Sequence, residues 1–135
     1  PGAQTLVEKL WDANFCLGLV TGGLESIAWR KLEHIGLRHY FKTGAFGSDH
    51  FDRNRLVPIA ITRAHAISVT GENVWVVGDT PRDIEAAHAG KARCLGVASG
   101  AFSQDALVKA GADAVVGSLD DPKAFNIIVG SATSL

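Results

Sequence analysis

Two aspartates four residues apart, Asp79 and Asp83, stand where an apolar run gives way to a turn, in Val74-Trp75-Val76-Val77-Gly78-Asp79-Thr80-Pro81-Arg82-Asp83-Ile84. The run reads as a strand and the residues after the turn as the start of a helix. Carboxylates at the carboxyl end of a buried strand are unfavourable unless a cation compensates them. Hard oxygen donors in this arrangement suit Mg²⁺, with waters and substrate completing its shell. Part of the segment has a simpler explanation. Thr80 can cap the helix, Pro81 suits its first position, and Asp83 stands where the acid of a capping box belongs. Capping leaves Asp79 unexplained.

Other residues could handle a phosphate. Thr21-Gly22-Gly23 follows the apolar run Leu17-Gly18-Leu19-Val20. A hydroxyl beside free backbone N–H groups at a helix start can bind phosphoryl oxygens, and glycines let the backbone come close. Taken alone this signal is weak, since a strand-to-helix turn more often needs glycine merely for its dihedrals. Arg55, in Arg55-Leu56-Val57-Pro58, opens a helix where a cation opposes the helix dipole, which makes it slightly more informative than an arginine elsewhere; taken in isolation it reads by default as a solvated surface arginine. Asp49, in Gly47-Ser48-Asp49-His50, reads as a turn residue and a lesser candidate ligand. His50 and Arg53 fit either a substrate contact or a solvated loop. His34, His39, His50, His65 and His88 show no paired ligand spacing. Cys16 and Cys94 lie in strand-like apolar runs and read as buried free thiols of a reducing compartment. Two cysteines build no metal or disulfide framework.

The elements that must position these groups alternate. Helices are expected over 5–13, 24–34, 55–68, 81–89, from Ser103 to near Gly111, and over 121–129. Strands are expected over 15–20, 44–48, 73–77, 92–98 and 114–116. Gly36 and Gly90 end two of the helices. In the second helix Leu24, Ile27, Ala28, Lys31 and Ile35 form the apolar stripe, and the composition of Val74 to Val77 implies a strand buried on both faces. Strands alternating with helices give an α/β, doubly wound parallel sheet in a three-layer α/β/α sandwich, with its site beyond the carboxyl ends of the strands. Thr21, Asp49 and Asp79 all fall at such ends.

The 135 residues suffice for one domain, here 1–135, with a sizeable core. A formal net charge of −1 gives no electrostatic case for nucleic acid or a membrane surface. No apolar run approaches the ~20 residues of a membrane span. Glu8, Lys9 and Asp12 near the start speak against a signal peptide. A cytoplasmic protein is expected. Methionine is absent and the first residue is Pro1, so a fragment, a processed product or a chain whose start is missing is expected.

In order and spacing, three segments resemble motifs of the haloacid dehalogenase superfamily, in particular its phosphoglycolate-phosphatase-like members. Leu19-Val20-Thr21-Gly22 matches the Thr or Ser that ends an apolar strand, Arg55 before Pro58 matches the cation ahead of a helix proline, and Gly78-Asp79 with Asp83 matches the acidic GDxxxD pair. The resemblance runs from the first helix to about residue 120. The family's first motif, Asp-x-Asp-Gly-Thr after an apolar strand, does not occur. Asp49 and Asp52 are too far apart for it, and Asp120 and Asp121 are adjacent.

The resemblance implies a Rossmann-like core downstream of a helical cap, lacking its central first strand. That strand belongs between the one ending at Thr21 and the one ending at Asp79. Those two then pair with each other or leave apolar edges open, so a companion strand and cap segment are expected in the full protein. It implies a Mg²⁺-dependent phosphomonoester hydrolase acting through an aspartyl-phosphate, on a small phosphorylated metabolite. Asp79 and Asp83 would hold the metal, Thr21, Gly22 and Gly23 the phosphoryl oxygens, and Arg55 would balance charge. The nucleophile would lie outside these residues, leaving the chain inactive alone. The alternative is a catalytically silent module of the same fold that binds phosphate, metal or a partner protein. Dehalogenases and phosphomutases share the fold, but the acidic pair with Thr80-Pro81-Arg82 fits phosphatases better than dehalogenases. A receiver-type signalling domain would need an acidic pair after its first strand and a lysine after its last, and neither pattern is found.

Overall fold

The computed structural model describes residues 2–50, 52–67 and 74–133. In chain order it contains α1 (Ala3–Asp12), β1 (Leu17–Val20), α2 (Glu25–His34), a 3₁₀ turn (Arg38–Tyr40), β2 (Phe41–Ala45), α3 (Arg53–Ile67), β3 (Trp75–Gly78), α4 (Pro81–Ala89), β4 (Arg93–Val97), α5 (Gln104–Lys109), β5 (Ala114–Val116) and α6 (Lys123–Thr133). Every strand pair among the described residues is parallel, as an α/β fold requires. The chain divides into two compact units, Val7–Thr70 and Pro1–Leu6 with Gly71–Leu135. The expected helix end at Ser68 and strand start at Asn73 lie outside the described residues.

In the Val7–Thr70 unit, β1 and β2 pair with Val20 opposite Ala45, so both strands end at one level. The Thr21 N–H continues the ladder one step, donating to the Ala45 carbonyl at 3.1 Å. Ala45 packs with Leu56 and Ala60 of α3, and Val20 and Ile59 close over them. The strand expected over 44–48 lies instead at Phe41–Ala45. It stops there because Asp49 folds the chain back: its N–H donates to the Phe46 carbonyl at 2.8 Å and its carboxylate accepts from the Phe46 N–H at 2.9 Å.

Helix α2 corrects a second expectation. None of its residues is buried, and Leu24, Ile27 and Ile35 are 58%, 49% and 58% exposed. The half-buried residues are Ala28, Trp29 and Leu32, one position round from the expected stripe. Trp29 decides this, since a large aromatic surface outweighs a single aliphatic one. Its ring packs edge-on against Phe46 with centroids 5.5 Å apart, while its Nε1 donates to Glu25 at 3.1 Å. Gly36 does end the helix as expected. At φ +75° it lets its own N–H reach the Glu33 carbonyl and the Leu37 N–H reach the Leu32 carbonyl, a Schellman closure.

In the other unit the sheet order is β3-β4-β5. Central β4 is buried from Cys94 to Val97 and packs against α4 and α5. Among the described residues strand β3 has a neighbour on one side only, and Val77 is 41% exposed. Burial on both faces, expected from its composition, is therefore not observed, because an edge strand has no second neighbour to cover it. Among the described residues β1 pairs with β2, and β3 pairs with β4.

Candidate functional site

The turn between β3 and α4 follows from local chemistry. Thr80 is extended (φ −132°, ψ 157°) and caps α4, with Pro81 in the first helical turn. Its Oγ1 accepts from the Asp83 N–H at 3.3 Å and donates to Asp83 Oδ2 at 3.0 Å. The same Oδ2 accepts from the N–H groups of Asp79 and Thr80, both at 3.1 Å. Asp83 thus stitches the turn together as a capping-box acid. Gly78 makes this possible: a Cβ there would lie 2.3 Å from Asp83 Cβ and 2.6 Å from its Oδ2. Among the described residues Asp79 is held only through its backbone. Its carboxylate is exposed and has no protein partner among the described residues.

That donor set fits Mg²⁺, which takes one or two carboxylates and keeps several waters. Asp79 offers an uncommitted carboxylate, and the hydrogen bond from its N–H to Asp83 Oδ2 places the second carboxylate beside it. Among the described residues no group of three or more His, Cys, Asp or Glu side chains could hold a metal, so waters or other oxygens would complete the shell.

Thr21, Gly22, Gly23 and Arg55 belong to the Val7–Thr70 unit. Thr21 Oγ1 accepts from the Gly23 N–H at 3.1 Å, which leaves the hydroxyl proton for an external acceptor. Of the two glycine amides expected to be free, Gly23's is therefore engaged, because the short Thr21 side chain reaches it within the turn. The loop after β2 supports this turn. The Gly47 N–H donates to the Gly23 carbonyl at 2.9 Å, and a Cβ on Gly47 would lie within van der Waals exclusion of the Gly22 carbonyl oxygen. Arg55 is exposed in the first turn of α3, next to Leu56, and Thr21 follows Val20. Val20 and Leu56 share one packed cluster, so Thr21 and Arg55 flank the same piece of core.

Asp49 is occupied by its own unit. Arg63 donates to Asp49 Oδ1 at 2.7 Å and to Oδ2 at 2.9 Å, and also to the Gly44 carbonyl at 2.8 Å. The guanidinium bonds, helped by the Phe46 N–H, pull the Asp49 carboxyl down to about 2. His50 Nδ1 accepts from the Asp52 N–H at 2.9 Å, and Asp52 Oδ1 accepts from Asn54 N–H at 2.9 Å at the entry to α3. The side chain of Arg53 lies outside the described residues.

His88 pairs with Asp113, Nε2 to Oδ2 at 2.9 Å, and the Cys94 N–H donates to the same oxygen at 2.7 Å. Burial works against the charged Asp113 carboxylate, but these bonds, with the charges of His88 and Arg93, outweigh it and hold the carboxyl below its usual range. Both cysteines are free. Cys94 is buried, and desolvation with nearby Asp83 and Asp113 pushes its thiol up to about 12. Cys16 is only half-buried, short of the burial expected.

Arg63, Gly47 and Gly78's steric role escaped sequence reasoning. Arg63 carries no local signal, being 14 residues from its partner. Gly47 does carry one, since it stands immediately after Gly44-Ala45-Phe46, at a strand's carboxyl end.

An α/β fold with parallel strands and an acid-bearing turn at a strand's carboxyl end defines a class, and comparison with known proteins agrees. The profile of haloacid dehalogenase-like hydrolases matches residues 1–97, and the chain belongs to that family. No curated protein matches it. Among solved structures it is similar to a candidate β-phosphoglucomutase from Thermotoga maritima, with 24% identity, a TM-score of 0.80, and coverage of 96% of this chain and 59% of that one. It is similar to a predicted phosphatase from Clostridium acetobutylicum, with 24% identity, a TM-score of 0.76, and coverage of 96% and 59%. A predicted phosphoglycolate phosphatase from Haemophilus somnus 129pt shows 19% identity, a TM-score of 0.75, and coverage of 93% and 56%. At these identities the likeness is one of fold. The chain spans under two thirds of the length of each of these neighbours. Among the described residues no helix is long and apolar enough to cross a membrane.

Proposed function

We propose that this chain is the larger part of the core of a Mg²⁺-dependent phosphomonoester hydrolase acting on a small phosphorylated metabolite. The observation that carries this reading is the open Asp79 carboxylate, held at a strand end by a turn that Asp83 ties down. Asp79 would bind the cation directly, and Asp83 would fix the direction from which Asp79 does so. The cation, when bound, would neutralise charge on the transferring phosphoryl group. Thr21 would donate its hydroxyl proton to a phosphoryl oxygen and the Gly22 N–H would donate to another. Arg55 would offset the negative charge gathered at the site. The nucleophile would be a carboxylate outside these 135 residues. It would attack phosphorus, release the alcohol and leave an aspartyl-phosphate for water to hydrolyse.

Hydrolysis of p-nitrophenyl phosphate by a protein that joins this chain to an Asp-x-Asp strand tests the reading. Activity that requires Mg²⁺ and disappears in Asp79→Asn supports it, and activity indifferent to Asp79 refutes it. A second reading is a silent module of the same fold that binds phosphate, metal or a partner protein. Cation or phosphate binding without turnover in the joined protein would select it.

A further inference from the structure

Gly100 lies in the turn that follows β4. A Cβ built on it would stand 2.8 Å from Asp79 Oδ2, 3.4 Å from its Cγ and 3.6 Å from its Cβ. Backbone conformation does not demand glycine here. The described glycines at positive φ are Gly2, Gly36 and Gly111, and Gly100 is not one of them. What a side chain at Gly100 would displace is the Asp79 carboxylate.

Gly78 and Gly100 therefore differ in kind. At Gly78 an added Cβ meets Asp83 Cβ at 2.3 Å, an atom fixed to the helix backbone that cannot step aside. At Gly100 it meets the tip of an exposed side chain, which can rotate away with little effect on packing. Rotation would nevertheless change where the Asp79 oxygens point. We propose that Gly100 is a positioning residue for Asp79: the bare backbone after β4 leaves open the space that Oδ2 occupies, and so permits the side-chain direction from which Asp79 meets a divalent cation. The inference rests on the metal-binding reading of Asp79 given above.

The test compares the chain with its Gly100→Ala and Asp79→Asn variants. Three-bond couplings by NMR report the χ1 of Asp79 without metal, Mn²⁺ titration followed by EPR reports cation affinity, and thermal melting reports the fold. Gly100→Ala is expected to shift the χ1 population and leave melting nearly unchanged. It should weaken Mn²⁺ binding ~10-fold, the usual size of an outer-shell effect, and a change below about twofold with an unaltered χ1 overturns the proposal. If Asp79→Asn binds Mn²⁺ as tightly as the parent, the metal reading of Asp79 falls and this proposal with it. If Asp79→Asn weakens binding but Gly100→Ala does not, only the role of Gly100 falls. Should Gly100→Ala fail to fold, the double variant with Asp79→Ala decides. Recovery of the fold once the carboxylate is gone supports the contact as the cause, and persistent unfolding overturns it.

Discussion

Asp49 and Asp79 both follow the carboxyl end of a parallel strand, β2 and β3 respectively, and both precede a helix. Their fates are opposite. Both oxygens of Asp49 are gripped by Arg63, and one also accepts from a backbone N–H, so the carboxylate serves to pin a loop to α3. Asp79 has its N–H tied to Asp83 and its carboxylate left with no protein partner among the described residues. An acid at a strand end is thus not a site by virtue of its place in the topology. What distinguishes the two is whether the fold supplies a cation of its own. Arginine and carboxylate match in geometry and charge, and with the Phe46 N–H this bidentate pair already engages both oxygens of Asp49 and neutralises its charge.

The largest effect that could break this contrast is chemical. Asp79→Asn should lower Mg²⁺-dependent ester hydrolysis by ~100-fold or more in the joined protein while leaving melting almost unchanged, since a group without partners contributes little to stability. Asp49→Asn should do the reverse, lowering the melting temperature. If both variants behaved alike in both assays, the comparison would be wrong. Next come the glycines under each turn. Gly78→Ala and Gly47→Ala each force a methyl group into occupied space, and urea denaturation should show a loss of about 1–3 kcal/mol for each. A null result at Gly78 would mean that Asp83 is not locked.

Thr80→Ala removes the cap while sparing Asp79, and chemical denaturation should register about 1 kcal/mol. The smallest effect is in pH. The Asp49 carboxyl lies at about 2 in the folded protein against an ordinary 3.8. A lowered folded value adds stability that is present above the ordinary value and lost as pH falls through the folded one. Melting temperature should therefore decline between roughly pH 4 and pH 2, by a small amount because the pair is solvent-screened. Arg63→Ala should remove most of that slope, and NMR titration should find Asp49 back in the usual carboxylate range. A slope unchanged in Arg63→Ala would assign it elsewhere, to the His88–Asp113 pair first, whose acid is held low in the same direction.

Local chemistry made much of this legible from the residues alone. The bounds of α4 and β5 fall where Thr80, Pro81, Gly90 and the run Ala114–Val116 place them. The capping role of Asp83 was visible as a spacing, and the family followed from three short motifs in order. The expectations that failed depended on distant partners. The apolar stripe of α2 was read from its own period, but Phe46 draws Trp29 inward instead. Strand β2 was misplaced because its end is set by Asp49 and Arg63 acting together. The exposure of Val77 depends on β3 being an edge, which no count of apolar residues reveals.

By itself the sequence determined which side chains could do chemistry, because helix caps, strand ends and motif spacings are written within a few residues of one another. Only the tertiary structure decided which of those groups are already taken. The contact that decides this for Asp49, the Arg63 guanidinium, joins residues far apart in the chain. A carboxylate's availability depends on what the folded chain brings within about 3 Å of it, the hydrogen-bond distance.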